Sequence, residues 1–242
     1  DQLVKLSPAR GIPLASVQME APIPVPIQDV ICLGMNYKAH AEEAENFSSE
    51  AFATKHQYAV YFSKRVHRAV PDGGFVDGHF EIVGSLDYEA ELAVILGKDA
   101  KNVKMEDAGS YIFGYTILND ISARNLQTQH KQWYFGKSLD DFTPMGPWIV
   151  TMDEFGFPPK LTIQCRINGE LRQDSNTSLQ IFQIDHVISE LSAGITLKAG
   201  TIIATGTPAG VGMGFDPPKF LKPGDVMECT IEGIGTLTNT VR

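Results

Sequence analysis

Two glutamates two residues apart, Glu89 and Glu91 in Leu86-Asp87-Tyr88-Glu89-Ala90-Glu91-Leu92-Ala93-Val94-Ile95-Leu96-Gly97, are the residues most able to do chemistry. The segment ends in an apolar run and stops at a glycine, which predicts a strand. Residues i and i+2 of a strand share a face, so both carboxylates project side by side while Ala90 and Leu92 face the other way. Like charges on a half-buried surface repel and resist desolvation, which calls for a cation between them. A third carboxylate, Asp120, follows the apolar run Tyr111–Asn119 at a predicted strand-to-helix junction. Three carboxylates with no Cys or His beside them suit a hard, oxygen-loving ion, magnesium first, with manganese or calcium as alternatives. They leave about half of an octahedral shell for water and substrate. Two plainer readings stand beside this one: a solvated strand face for the glutamates, and an N-cap for Asp120.

His40 and Glu43 lie three apart on a helix-favouring segment, hence on one face. A carboxylate beside an imidazole raises its basicity and fixes its tautomer, as a general base needs. From spacing alone the pair reads as a surface contact. Arg124 and Lys137 are cations suited to a substrate carboxylate or to developing negative charge, or to structural ion pairs with nearby acids. Thr205-Gly206-Thr207-Pro208-Ala209-Gly210-Val211-Gly212 is not a nucleotide loop. It lacks the GxGxxG spacing and a closing Lys-Ser/Thr, and Asp216-Pro217-Pro218 forbids the helix such loops need. A tight loop presenting amides and the Thr207 hydroxyl to a small carboxylate fits better.

The elements that must hold these residues read as mostly β. Strands are expected near 30–34, 58–63, 87–96, 111–119, 147–150, 161–167, 201–205, 225–232 and 235–241. Helices are expected at about 36–45, from about 121 to 127 and at 181–192, the last with a 3.6-residue apolar period and Gly194 as its stop. Trp133 and Tyr134 read as aromatic core packing. Many strands, few helices and no βαβ alternation point to a β-rich α+β roll. Residues 1–28 read as an extended, Pro-rich lead-in and 29–242 as one domain; the start at Asp1 without Met suggests a missing N-terminal piece.

The 242 residues are 43% hydrophobic, with a net charge of −9 and no basic block, which argues against nucleic acid as a partner. Three widely spaced cysteines, Cys32, Cys165 and Cys229, read as reduced core thiols of a cytoplasmic protein. No apolar stretch nears the ~20 residues of a membrane helix.

The ordered motifs Asp87-Tyr88-Glu89-x-Glu91-Leu92, Gly114-Tyr115-x-x-x-Asn119-Asp120-x-Ser122-Ala123-Arg124, Phe135-Gly136-Lys137-Ser138-x-Asp140 and Thr205-Gly206-Thr207-Pro208-Ala209-Gly210-Val211-Gly212 resemble the fumarylacetoacetate hydrolase family. The likeness is to its acylpyruvate hydrolase and oxaloacetate decarboxylase-like branch and runs from about Ile31 to the C-terminus. It departs at Asn125, where the family has Asp. The resemblance implies a mixed β-sandwich roll, usually a homodimer, with Glu89, Glu91 and Asp120 as metal ligands. It also implies a catalytic His40–Glu43 dyad on a lid at about 37–55 that activates water, Lys137 in catalysis, and Arg124, Lys137 and Thr207 on a small anionic 2-oxo acid. The expected reaction is hydrolytic C–C cleavage of an acylpyruvate. Decarboxylation of oxaloacetate, isomerisation or lyase chemistry use the same parts, and a non-catalytic metal and organic-acid binder is the alternative of a different class.

Overall fold

The computed structural model describes residues 11–13, 16–48, 52 and 58–242. Two sheets face each other. The first has six strands in the order β2 (Val60–Lys64), β1 (Val30–Gly34), β11 (Ile202–Ala204), β5 (Ala90–Leu96), β6 (Ile112–Asn119) and β8 (Met145–Thr151). Only β1 and β11 run parallel in it. The second orders β10 (Glu170–Asn176), β9 (Thr162–Ile167), β12 (Val226–Ile231), β13 (Gly235–Val241) and β3 (Phe75–Val76). A two-residue pairing joins β4 (Leu86–Asp87) to β7 (Ser122–Ala123). Among the described residues the α-helices with defined bounds are α1 (Lys38–Phe47), α2 (Arg124–Gln129), α3 (Tyr134–Lys137) and α4 (Ile184–Gly194). This is the expected β-rich α+β sandwich.

Alternation decides what each face carries. Leu92, Val94, Leu96, Tyr115 and Ile117 point between the sheets, where they meet Ile163, Cys165, Met227, Cys229 and Leu237. The opposite face of the six-stranded sheet carries Val30, Cys32, Ala93, Ile95, Leu118 and Ala204, covered by Ala21 and Ile23. Residues 17–29 form neither strand nor helix. Glu91 has the parity of Ala93 and Ile95 and so belongs to this outer face; Ala90 and Leu92 go to the other, as read.

Three expectations change. The strand expected over 87–96 is broken at Tyr88–Glu89, because Leu86–Asp87 leaves the sheet to pair with β7. Glu89 therefore sits in the bend just before β5. The segment from 121 first forms β7, and the helix starts only at Arg124. Strand β10 was not expected, because Glu-Leu-Arg-Gln-Asp-Ser-Asn shows no apolar alternation. A signal was present: Asn168 and Gly169 take positive φ (52° and 81°), as a two-residue hairpin turn favouring Asn-Gly requires.

Helix α1 buries one narrow side, His40, Ala41 and Ala44, against Met35, Val211 and Met213. It ends at Ser48, whose N–H reaches the Ala44 carbonyl. Of the expected lid at about 37–55, residues 49–51 and 53–55 lie outside the described residues. The loop after β11 is pinned by backbone that only glycine fits. Gly210 has φ +101°, and a Cβ there would lie 1.9 Å from the Arg172 carbonyl oxygen. Gly210→Ala should therefore destabilise the protein by about 1–3 kcal/mol from backbone strain alone, with the clash adding to it. Chemical denaturation measures this, and an unchanged midpoint would contradict the loop placement.

Candidate metal centre

Glu89 before β5, Glu91 within it and Asp120 just past β6 meet because β5 and β6 are antiparallel neighbours with Glu91 opposite Leu118. One carboxylate oxygen from each lies within 4.8 Å of the others, and all three residues are buried. The side chain of Asp120 does not cap α2. The helix follows Ala123 with no side-chain cap, and Asp120 instead accepts from two lysines.

Three buried cations answer the acids. Lys137 Nζ stands 2.8 Å from both Glu89 Oε2 and Asp120 Oδ2. Arg124 Nη1 is 2.7 Å from Glu89 Oε1, and its Nε is 2.9 Å from Asp87 Oδ2. Lys64, from the end of β2, donates to Asp120 Oδ1 at 2.7 Å and to the carbonyls of Ile121 and Lys137. Asp87, Glu89, Glu91 and Asp120 thus face Lys64, Arg124 and Lys137, leaving one negative charge in excess.

The excess falls on Glu91. Its Oε2 receives the Gly206 amide at 2.7 Å, and among the described residues no cation is within ion-pair distance. Burial, then Asp120 and Glu89, push its carboxyl well above the usual range. Glu89 moves the other way. Burial opposes its ionisation, yet Lys137 and Arg124 outweigh that and hold it down to about 2. Oxygen donors alone, an excess negative charge and three converging carboxylates fit a hard divalent ion.

A narrow pocket opens beside this cluster, lined by His40, Glu89, Arg124, Gln127, Trp133 and Lys137. His40 Nδ1 lies 3.1 Å from Glu43 Oε2, and Glu43 is held from behind by the Gly210 amide. The carboxylate makes Nδ1 the protonated nitrogen, which leaves Nε2 with its lone pair. Among the described residues Arg124 Nη2 is buried with no hydrogen-bond partner, an orphaned donor on a residue that lines the pocket. Met35, in the pocket wall, has a left-handed φ of 52°, the kind of strain that collects at working sites.

A sequence model described as the fumarylacetoacetate hydrolase C-terminal domain matches residues 29–242. The chain belongs to the fumarylacetoacetate hydrolase family. Oxaloacetate tautomerase YisK of Bacillus subtilis is 48% identical over 228 residues, 94% of this chain and 74% of that protein. A fumarylacetoacetate hydrolase from Exiguobacterium antarcticum superposes with a TM-score of 0.81 at 43% identity, covering 90% of this chain and 76% of that one. Fumarylpyruvate hydrolase from Pseudomonas aeruginosa, solved with Mn2+ and pyruvate, gives 0.77 at 28% identity over 93% and 98%.

Within this family fold, the expected residues converge except one. The Thr207 hydroxyl donates to the Ala90 carbonyl at 2.9 Å and accepts from Gln173 at 2.7 Å, bonds that hold the loop, and Thr207 is not among the residues lining the pocket. Trp133 packs as expected, on Phe52 and Phe62 against the apolar cluster under α1, and it also walls the pocket; Tyr134 instead is exposed. Asn125, where the family has Asp, bonds Ile82 and Ser85, away from the site. Arg124 is oriented instead by Asp87, Glu89 and Gln127.

Sequence reading missed Lys64, Asp87, Gln127 and Gln173. Asp87 shares the i, i+2 parity of the glutamates, Gln127 lies one turn after Arg124, and Lys64 has the parity of Phe62; none of these signals is distinctive alone.

Glu91→Gln removes the unbalanced charge from the metal-free protein and weakens the ion's hold. The metal-free variant should melt no lower than the parent. The stabilisation that magnesium gives the parent, about 2.7 kcal/mol at a hundredfold excess over Kd, should be lost. Thermal melts with and without magnesium read both.

Proposed function

We propose that this chain is a divalent-metal-dependent enzyme of keto–enol chemistry on a small 2-oxo dicarboxylate, oxaloacetate tautomerisation being the reaction it fits best. The observation that carries the reading is one pocket lined by His40, Arg124 and Glu89 of the carboxylate cluster, with Arg124 Nη2 buried and, among the described residues, without a hydrogen-bond partner. The 48% identity to an oxaloacetate tautomerase over nearly the whole chain supports it.

A magnesium or manganese ion held by Glu89, Glu91 and Asp120 would supply a Lewis acid that polarises the 2-oxo oxygen and makes the adjacent carbon more acidic. Arg124 Nη2 receives a substrate carboxylate, its direction set by the bonds that Nε and Nη1 already make. Gln127 uses its Oε1 on Arg124 Nη1 at 3.0 Å, which leaves its NH2 group for a substrate oxygen. Lys137 adds a fixed positive charge beside the developing negative oxygen. His40 moves the proton at the carbon next to the 2-oxo group through Nε2, and Glu43 steadies the imidazolium so formed. The surrounding burial keeps bulk water from competing for these charges.

Hydrolytic cleavage of an acylpyruvate, first in the sequence reading, is the second reading. It rests on the likeness to the fumarylpyruvate hydrolase and sets the same His40 to activate water instead of carbon.

Enol-oxaloacetate and acetylpyruvate, each with magnesium and then with a chelator, separate the two. Metal-dependent acceleration of enol loss supports tautomerisation; cleavage of acetylpyruvate without it supports the second reading. Neither activity would refute both. His40→Ala should lower the reaction about 10²–10⁴-fold while the magnesium-induced rise in Tm is kept, because the ligands sit on other segments.

A further inference from the structure

Asp87 performs no step of that chemistry, yet it is wholly buried and each of its oxygens accepts from two donors. Oδ2 takes Arg124 Nε at 2.9 Å and the Met213 amide at 3.0 Å. Oδ1 takes the Gly212 amide at 2.6 Å and the Tyr88 amide at 3.0 Å. A carboxylate offers about four lone-pair sites, so Asp87 is saturated.

Its donors come from two separate elements, and Arg124 and Met213 both line the pocket. Arg124 opens α2. Gly212 and Met213 form the short turn on which α1 rests, with Met213 packed in one cluster with Ala41 and Ala44. Two residues earlier the Gly210 amide holds Glu43, and at Gly214 a Cβ would lie 1.7 Å from Glu43 Oε1. The anion that aims the guanidinium therefore also anchors the turn that seats the dyad. His40 and Arg124 line the same pocket, so a shift at Asp87 changes the distance between them.

We propose that Asp87 is a positioning residue that holds Arg124 and the His40–Glu43 dyad in register across the pocket. The inference rests on the reading that Arg124 grips the substrate and His40 moves its proton.

Asp87→Asn keeps the shape but turns two acceptor sites into an NH2 group facing donors. Turnover should fall about 10–100-fold, the usual loss when a supporting partner of a site is removed. Oxalate, titrated calorimetrically with magnesium present, should bind more weakly, while the magnesium-induced rise in Tm persists. A merely structural role would lower Tm and leave oxalate binding intact.

Because coupling is reciprocal, Arg124→Met should speed hydrogen exchange across the pocket, at the amides of 210–214 and 38–47. The losses in Asp87→Asn and Arg124→Met should combine to less than their product. Parent-like oxalate binding in Asp87→Asn, multiplying losses, or unchanged exchange at 210–214 in Arg124→Met would each overturn the proposal. If Asp87→Asn fails to fold, the exchange result in Arg124→Met decides. Exchange needs no substrate, so an inactive parent protein would refute the functional reading while this coupling is judged separately.

Discussion

Seven charged side chains share one buried volume beside β5 and β6 of the six-stranded sheet, four acids against three bases, and the rest of the structure is arranged around that imbalance. Removing such groups from water costs several kcal/mol per ion, and their mutual attraction recovers it only when geometry and hydrogen bonds are complete. Here they are complete nearly everywhere. Lys64 spends three donors, Asp87 four acceptor sites, and Glu89 meets both Lys137 and Arg124. Among the described residues the exceptions in this cluster are Glu91, without a cation, and Arg124 Nη2, without an acceptor. One lacks a positive charge and the other a negative one, which is what a cation and an anionic ligand together would supply.

The sheet makes this density possible. Strand parity sends Glu91 and Cys32 to the outer face while their neighbours fill the core between the sheets. Burial and then Asp120 and Glu91 raise the Cys32 thiol, which shows how far the acidic field reaches into that face. The loop leaving β11 closes over it, giving Gly206 to Glu91 and Gly210 to Glu43. Positive φ at both glycines (92° and 101°) lets the backbone approach where a side chain would not fit.

The residues that carry motif spacing were legible in the sequence: the three carboxylates, the dyad, Arg124 and Lys137 all reach one site. The strands with apolar runs or clear alternation were legible too, within one or two residues except β5, which starts at Ala90 because Leu86–Asp87 pairs elsewhere. What escaped was determined by tertiary partners. The polar strand β10 is held by pairing with β9, and its Gln173 is buried only because Thr207, Pro208 and Ala90 need its amide. Thr207 looked like a binding residue because a hydroxyl in a glycine loop can face a ligand; Gln173, on β10 of the five-stranded sheet, donates to that hydroxyl. Trp133 packs on an apolar cluster as its indole suggests, and Gly34 gives it the space to reach the pocket wall too, whereas Tyr134 stays exposed. Lys64 and Asp87 act through neighbours distant in sequence, which no local pattern encodes.

The most direct measurement is anomalous diffraction from crystals soaked in Mn2+. The account predicts one strong peak among Glu89, Glu91 and Asp120, within about 2.0–2.6 Å of an oxygen from each. A protein that takes up no manganese, or a peak elsewhere with Lys137 still bridging Glu89 and Asp120, would contradict it.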